Sequence, residues 1–334
     1  MKIKFLLLIF MVCFLIPINI TAQITPEIRQ EKEEQSLDDR QKQKSTEGYK
    51  MSQKVAIYYG YDSNANLATE RKGDSFEEVV YSIDFAKLLN KTLRITFDYD
   101  IDFSNYHETT DLTNFLNHFR LGVQKQLPFC LVGFGYDAGF VNYTRGDSDF
   151  ILHKGFVYFG KKTSNRIYQK IQFEYGAKDY LDISALGDSL GSFQEKERLD
   201  RRIAAEYSLS ALLTPKTMMR LRTKFSRNDS NARFVDFYDY TAYSPTLVLS
   251  HKFLKDVIIS TNLSYRRKEY DSRTISGGSE EQSDNLYVAS LGVQKMLDKK
   301  TSVSLQYTYR ENSSNESLEE YSESVITCGW HYNF

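Results

Sequence analysis

The chain has 334 residues and a formal net charge of -1, with 43 Lys and Arg against 44 Asp and Glu. This balance argues against a nucleic-acid partner. Its mean hydropathy of -0.48 is that of a polar protein, yet it contains 24 Tyr and 22 Phe with only 5 Pro. The mixture suits a membrane β-barrel, because barrel strands show lipid only every second side chain and averaging hides their apolar face.

The N terminus has the features of a secretory signal peptide. Two lysines precede an apolar run from Phe5 to Ile18, and Ala22 is the small residue after which cleavage is expected. The run is shorter than the roughly 20 residues that a membrane-spanning helix needs, although an uncleaved anchor remains the alternative. We therefore predict that residues 1–22 are a signal peptide.

The segment after the signal is highly polar. From Thr25 to Lys50 it consists mainly of Glu, Gln, Lys, Asp and Arg, a composition that cannot bury enough apolar surface to fold alone. We predict a charged periplasmic tail over residues 23–50 and a barrel over residues 51–334. A short amphipathic helix or a partner-binding peptide, through residues 24–50, is the alternative for the tail.

Beyond the tail, hydrophobicity repeats with period two. In Leu93–Phe103 every odd position is apolar or aromatic and every even position is polar or charged. This period places the apolar side chains on one face of a strand, whereas it would scatter them around a helix. Extending this pattern predicts strands near 53–63, 76–87, 91–104, 112–126, 129–143, 148–160, 165–180, 196–213, 216–228, 240–253, 256–270, 285–297, 301–311 and 321–334.

The connections between these strands alternate between short and mostly longer ones. Outer-membrane barrels have short periplasmic turns, longer outer loops and an even strand count, and the predicted strands obey these rules. We therefore predict an all-β transmembrane antiparallel up-and-down barrel of about 14 strands in the outer membrane of a Gram-negative bacterium. A soluble β-sandwich is the alternative fold, but its exposed face would not carry so many Tyr and Phe side chains.

Two stretches resemble known outer-membrane proteins. The last strand alternates and ends in Trp330, Tyr332 and Phe334, which resembles the C-terminal signature that the barrel assembly machinery recognises. The stretch from Tyr59–Asn64 through the third predicted strand is similar to the start of the barrels named putative β-barrel porins, and to the barrel half of the surface lipoprotein assembly modifiers. The resemblance implies outer-membrane lipid and the assembly machinery as partners.

The sequence contains no convincing cofactor, metal or catalytic motif. Asp62–Asn66 imitates a calcium loop, but Leu67 stands where Gly is needed, so we predict a turn. The five histidines lack metal-ligand spacing, and no serine lies in a nucleophile motif. We expect no cofactor, no metal and no enzyme activity, and two free thiols at Cys130 and Cys328. Convergence of Ser, His and an acid from separate strands remains the enzymatic alternative.

The residues predicted to face the lumen form two walls of opposite charge. The acidic wall consists of Asp62, Asp84, Asp98, Asp100 and Asp102. The basic wall consists of Arg198, Arg202, Arg220, Arg222, Lys224 and Arg266. Facing charges across a narrow aqueous pore orient polar solutes and bias ion passage. The alternative is that these charges pair with one another and plug the barrel.

These observations predict a porin-like channel for passive passage of small polar or anionic solutes or saccharides. The alternative function is an outer-membrane export or assembly component, for lipoprotein or exopolysaccharide, whose tail docks a periplasmic partner.

Overall fold

The protein forms a closed antiparallel barrel of 14 strands in the computed structural model. The structure describes residues 48–69, 71–144, 149–184, 197–232 and 238–334. The predicted signal peptide and residues 23–47 of the predicted tail lie outside these ranges. The strands are β1 Tyr49–Asp62, β2 Asp74–Leu88, β3 Leu93–Tyr106, β4 Asn114–Gln126, β5 Leu131–Tyr143, β6 Phe150–Ser164, β7 Ile167–Ser184, β8 Glu197–Thr214, β9 Thr217–Ser230, β10 Tyr240–Lys252, β11 Val257–Thr274, β12 Glu281–Met296, β13 Thr301–Ser314 and β14 Tyr321–Asn333.

Each strand pairs with the next strand in the chain, and the last pairs with the first. The closing register between β1 and β14 runs from Lys54 opposite Asn333 to Asp62 opposite Val325. Closure leaves no free sheet edge among the described strands, so neighbouring strands satisfy most of their backbone polar groups. The predicted all-β barrel is confirmed, and each of the 14 predicted strands overlaps one observed strand.

The two ends of the barrel differ in the length of their connections. At the end that carries Tyr49 and Asn333, the six connections have two to four residues. At the opposite end the seven connections have six to twelve residues. Because short turns mark the periplasmic side of outer-membrane barrels, the longer loops lie on the outer side. The alternation predicted from the sequence is confirmed.

The two faces of the barrel wall follow the period-two pattern of the sequence. On β9, Leu221 is 38% exposed, whereas Arg220 beside it is 5% exposed on the inner face. A belt of exposed apolar side chains therefore surrounds the barrel. It comprises Ile57, Tyr59, Tyr61, Val79, Phe97, Phe103, Phe119, Leu121, Phe134, Tyr136, Val157, Phe159, Ile171, Phe173, Tyr175, Ile203, Tyr207, Leu221, Phe225, Tyr243, Leu263, Tyr287, Leu305, Tyr307, Ile326 and Trp330. Among the described residues, no helix is long and apolar enough to cross a membrane.

Three aromatic rings lie in contact at the end of the C-terminal strand. Trp330 stacks on Tyr332 with ring centroids 6.0 Å apart, and Tyr332 meets the ring of Phe334 edge-on at 5.0 Å. Their role as a signal for the assembly machinery stays a prediction. Cys328 is exposed on the same strand, Cys130 lies in the turn after β4, and both thiols are free, as predicted.

Glycines on the inner face of β5 allow aromatic rings of β6 to lie against the wall. Tyr158 lies over Gly133, and Phe156 lies over Gly135. A Cβ atom at either glycine would overlap the facing ring, whereas a Cβ at Gly139 would make ordinary contacts of 3.7–3.8 Å. The two glycines therefore allow a close approach between the β6 rings and the β5 backbone.

We expect Gly133→Ala to lower the free energy of unfolding by about 1–3 kcal/mol, because the new methyl group overpacks the site against the Tyr158 ring. The measurement is urea unfolding of the barrel in detergent, followed by the fluorescence of Trp330, the only tryptophan of the chain. The control is Gly155→Ala, since a Cβ built at Gly155 meets no atom within 4 Å. Equal losses in the two variants would contradict the packing argument.

Candidate functional site

The predicted acidic wall lies on the inner face of three neighbouring strands. Asp62 on β1 and Asp102 on β3 are buried. Asp84 on β2 lies opposite Asp98 on β3, and Asp100 lies opposite His118 on β4. The His118 Nδ1 atom lies 3.6 Å from a carboxylate oxygen of Asp100. The structure thus brings the five predicted carboxylates onto one side of the lumen.

The predicted basic wall lies on the inner face of β8, β9 and β11. Arg198 and Arg220 are buried, and Arg222 lies opposite Ser208 across the β8–β9 register. Arg266 is at an even-numbered position of β11, and the even-numbered positions of this strand have the parity of the inner face. It is nevertheless exposed, so it meets the water of the lumen. The structure therefore places the predicted cations on the inner face of the barrel.

The two walls face each other across the lumen. In a closed ring of 14 strands, β2 and β9 are seven strands apart. At the inward positions of β1, β2 and β3 there are seven carboxylates against three Lys or Arg. At the inward positions of β8, β9 and β11 there are seven Lys or Arg against two carboxylates. The lumen is therefore polarised from one side to the other.

Ion pairs that the sequence analysis did not identify partly neutralise the basic wall. Lys224 Nζ lies 2.8 Å from Glu174 Oε2 on β7, and Arg222 Nε lies 3.9 Å from Glu206 Oε2 on β8. Arg198 Nη2 lies 2.6 Å from Oδ2 of nearby Asp200. The three carboxylates have the inward parity of the cations, so the same pattern would have found them.

A buried ionic cluster links β4, β5 and β6. Asp137 is fully buried, and its carboxylate accepts hydrogen bonds from Arg120 Nε at 2.6 Å and Arg120 Nη2 at 3.1 Å. Lys154 Nζ lies 2.7 Å from the Oδ2 atom of Asp137. The Arg120 guanidinium also lies over the Phe156 ring, 5.6 Å from its centroid. Two cations, one from each strand that flanks β5, therefore hold one carboxylate in the wall.

A cavity opens into the lumen beside the basic wall. It contains about 600 Å³ of empty space, including its opening to solvent, and is lined by β8, β9, β10 and β11. Five cations and one carboxylate line it together with hydroxyl groups. The charged lining residues are Arg202, Glu206, Arg222, Lys224, Arg266 and Lys268. Among the described residues, no group of three or more His, Cys, Asp or Glu side chains could hold a metal ion.

Hydrogen bonds and an ion pair connect loops at the outer rim. The Asp62 carboxylate accepts a hydrogen bond from the Asn64 backbone N–H at 2.9 Å, which confirms the predicted turn and gives this aspartate a local role. The Ser276 backbone N–H donates to Glu316 Oε2 at 2.6 Å and holds the pKa of Glu316 below its usual range. Arg273 pairs with Glu319 at 2.6 Å. The β11–β12 and β13–β14 connections are thereby tied together.

A closed 14-strand barrel with an apolar outer belt and a charged inner face is a transmembrane β-barrel of the type found in the bacterial outer membrane. Residues 208–334, from within β8 to the C terminus, match the model of the family described as "Putative beta-barrel porin 2". This match supports the porin resemblance. The similarity to the surface lipoprotein assembly modifiers stays a prediction.

The barrel is also similar to solved outer-membrane proteins at low sequence identity. OmpT of Vibrio cholerae is 8% identical over 87% of this chain and 99% of its own, with a TM-score of 0.49. The toluene transporter TodX of Pseudomonas putida is 11% identical, with coverages of 86% and 90% and a TM-score of 0.47. OprB of Pseudomonas putida is 8% identical, with coverages of 86% and 94% and a TM-score of 0.48. No curated protein matches the chain.

Proposed function

We propose that the barrel is a passive channel of the outer membrane for small polar solutes, with a preference for anionic ones and with saccharides among its candidate cargo. The observation that carries the proposal is the polarised lumen, in which an acidic wall on β1–β3 faces a basic wall on β8–β11. A transverse field of this kind orients dipolar solutes as they pass. The proposal includes no cofactor and no covalent step.

The basic side offers the surface for anions. Arg266 is exposed to the lumen, and the cavity beside it has more cations than carboxylates. Because charges that line an aqueous pore set its ion selectivity, an excess of Lys and Arg at the cavity raises the local concentration of anions. The buried pairs Lys224–Glu174 and Arg198–Asp200 keep other cations of this wall in place without adding net charge.

We expect the combined variant Arg220→Gln, Arg222→Gln and Lys224→Gln to shift the reversal potential in a salt gradient toward cation preference. Planar bilayers that contain the purified full-length barrel provide the measurement, after each variant is shown to be heat-modifiable on a gel. The reciprocal variant, with Asp98, Asp100 and Asp102 replaced by Asn, is expected to shift it toward anions. Both shifts diminish at about 1 M salt, where the screening length is about 3 Å.

Two cations on the outer face provide the matched control for these variants. Arg201 and Arg267 have outward parity and are exposed, so their replacement by Gln leaves the lumen charge unchanged. Shifts of the same sign for the acidic and basic variants would overturn the polarised-lumen argument. A wild-type barrel without conductance would overturn the channel and leave the export or assembly component as the function to test.

A further inference from the structure

We propose that the cavity between β8 and β11 binds the phosphate group of a small solute. This inference deepens the proposed function and rests on it, because solutes must reach the cavity from the lumen. The cavity is lined by five cations and by the single carboxylate of Glu206, and Arg266 is exposed at an inward position. Such a surface favours a ligand with more than one negative charge.

Three of the lining cations are available to a ligand. Arg222 and Lys224 form ion pairs with Glu206 and Glu174, respectively. By contrast, Arg202, Arg266 and Lys268 form no ion pair within the part of the chain that the structure describes. The cavity therefore retains positive charge after Arg222 and Lys224 are paired with Glu206 and Glu174.

Arg202 presents a donor that has no acceptor among the described residues. Its Nη2 atom donates to Ser226 Oγ at 3.2 Å, which fixes the guanidinium on the inner face of β8. Its Nε atom is buried and has no hydrogen-bond partner among the described residues. Since a buried donor without an acceptor is unfavourable, a ligand oxygen at this position would satisfy it.

Aromatic rings hold the third cation at the edge of the cavity. Lys268 Nζ lies 4.3 Å from the ring centroids of both Tyr240 and Tyr270, and it donates a hydrogen bond to the Tyr270 hydroxyl. These contacts position the ammonium group without neutralising it. Lys268 was absent from the basic wall predicted from the sequence, although its parity matches that of Arg266.

The residue types favour phosphate over a halide ion. A guanidinium group offers several N–H donors in a planar fork that matches the oxygen atoms of a phosphate. Two guanidinium groups without an ion pair, those of Arg202 and Arg266, line the cavity together with the Lys268 ammonium group. Three residues that carry hydroxyl groups, Tyr240, Ser244 and Thr246, belong to the same lining. These hydroxyls suit the polar remainder of a phosphorylated polyol or saccharide, whereas a halide would use few of the donors.

The test is calorimetric titration of inorganic phosphate into the full-length barrel in detergent, in a chloride buffer of about 0.15 M, where the screening length is about 8 Å. We expect saturable binding of phosphate. We expect Arg266→Gln to weaken it by about tenfold or more, a change of about 1.4 kcal/mol. The matched control is Arg267→Gln, which removes a positive charge from the next residue, whose side chain is exposed on the outer face.

Further arms separate the outcomes. Lys268→Gln and Arg202→Gln are expected to weaken binding as well, so the proposal stays testable if one variant does not fold. Glycerol 3-phosphate that binds more tightly than inorganic phosphate would identify a phosphorylated solute as the source, whereas equal binding would identify free phosphate.

Binding and conductance together distinguish this site from the proposed function. Wild-type binding no stronger than that of chloride, or unchanged binding in all three variants, would overturn the phosphate site. Saturable phosphate binding by a barrel without conductance would retain the site and overturn the channel. An anion-selective channel without saturable phosphate binding would retain the channel and overturn the phosphate site.

Discussion

Replacing Asp137 with Asn is expected to lower the free energy of unfolding by about 3–5 kcal/mol, the usual consequence of removing one partner from a buried ion pair. The fully buried Asp137 carboxylate is held by Arg120 at 2.6 Å and by Lys154 at 2.7 Å. Asn removes the negative charge that both cations contact in the wall. Urea unfolding in detergent, followed by Trp330 fluorescence, measures the loss.

The matched control is the more exposed ion pair between Lys54 and Asp84. Its atoms are 3.1 Å apart, similar to the Asp137 contacts, but the Lys54 side chain is about half exposed. Because water screens such a pair, we expect Asp84→Asn to cost no more than about 1 kcal/mol. A loss at Asp84 as large as that at Asp137 would show that burial does not determine the contribution of these pairs.

Most of the fold could be predicted from the sequence because the period-two pattern reports directly on the two faces of the wall. The alternation in Leu93–Phe103 places Phe97 and Phe103 in the outer belt and the aspartates between them on the inner face. Parity is independent of strand register, so it remained correct although the predicted strand ends differ from the observed ones by a few residues. The position of the Tyr158 ring over Gly133 depends on strand register, about which the period-two pattern gives no information.

The candidate site was predictable in its charges but not in its pairing. Lys224 pairs with Glu174, which is 50 residues away and two strands distant. On the intervening strand β8, the register places Ala204 opposite Glu174, and its small side chain leaves space for the long ones to meet. The alternation of apolar and polar residues shows which face a side chain is on, but not which side chains meet. Such contacts depend on strand register and on side-chain direction. The sequence therefore overestimated the free charge of the basic wall.

The pairing also explains why the cavity, rather than the whole basic wall, is the strongest candidate for a binding site. Removing a charged group from water is unfavourable unless an opposite charge or a hydrogen bond compensates it. Arg198, Lys224 and Arg120 each have such a partner, consistent with a structural role. Arg202, Arg266 and Lys268 have none among the described carboxylates, and they line the same cavity. Charge that the fold does not use for its own stability is available to a solute.

Leu263→Arg is expected to reduce assembly of the barrel sharply, because an arginine that faces lipid near the middle of the membrane costs about 2–4 kcal/mol. Leu263 is 46% exposed on the outer face of β11 and lies opposite Leu247 on β10 and Ala289 on β12. Neither of these two facing side chains can accept a hydrogen bond from a guanidinium group. The measurement is the fraction of protein that is heat-modifiable after folding into detergent or lipid vesicles.

The comparison variant is Asn262→Arg, one residue earlier on the same strand. Asn262 has inner-face parity, and its Oδ1 atom is buried without a hydrogen-bond partner in the described structure, so the site is already polar. An arginine here can extend toward the charged lumen instead of the lipid, and we expect a much larger heat-modifiable fraction than for Leu263→Arg. Because the two positions are adjacent on one strand and receive the same arginine, the main difference is the face of the wall on which the new side chain lies. Equal assembly of the two variants would contradict the assignment of inner and outer faces on which the lumen walls and the phosphate site both depend.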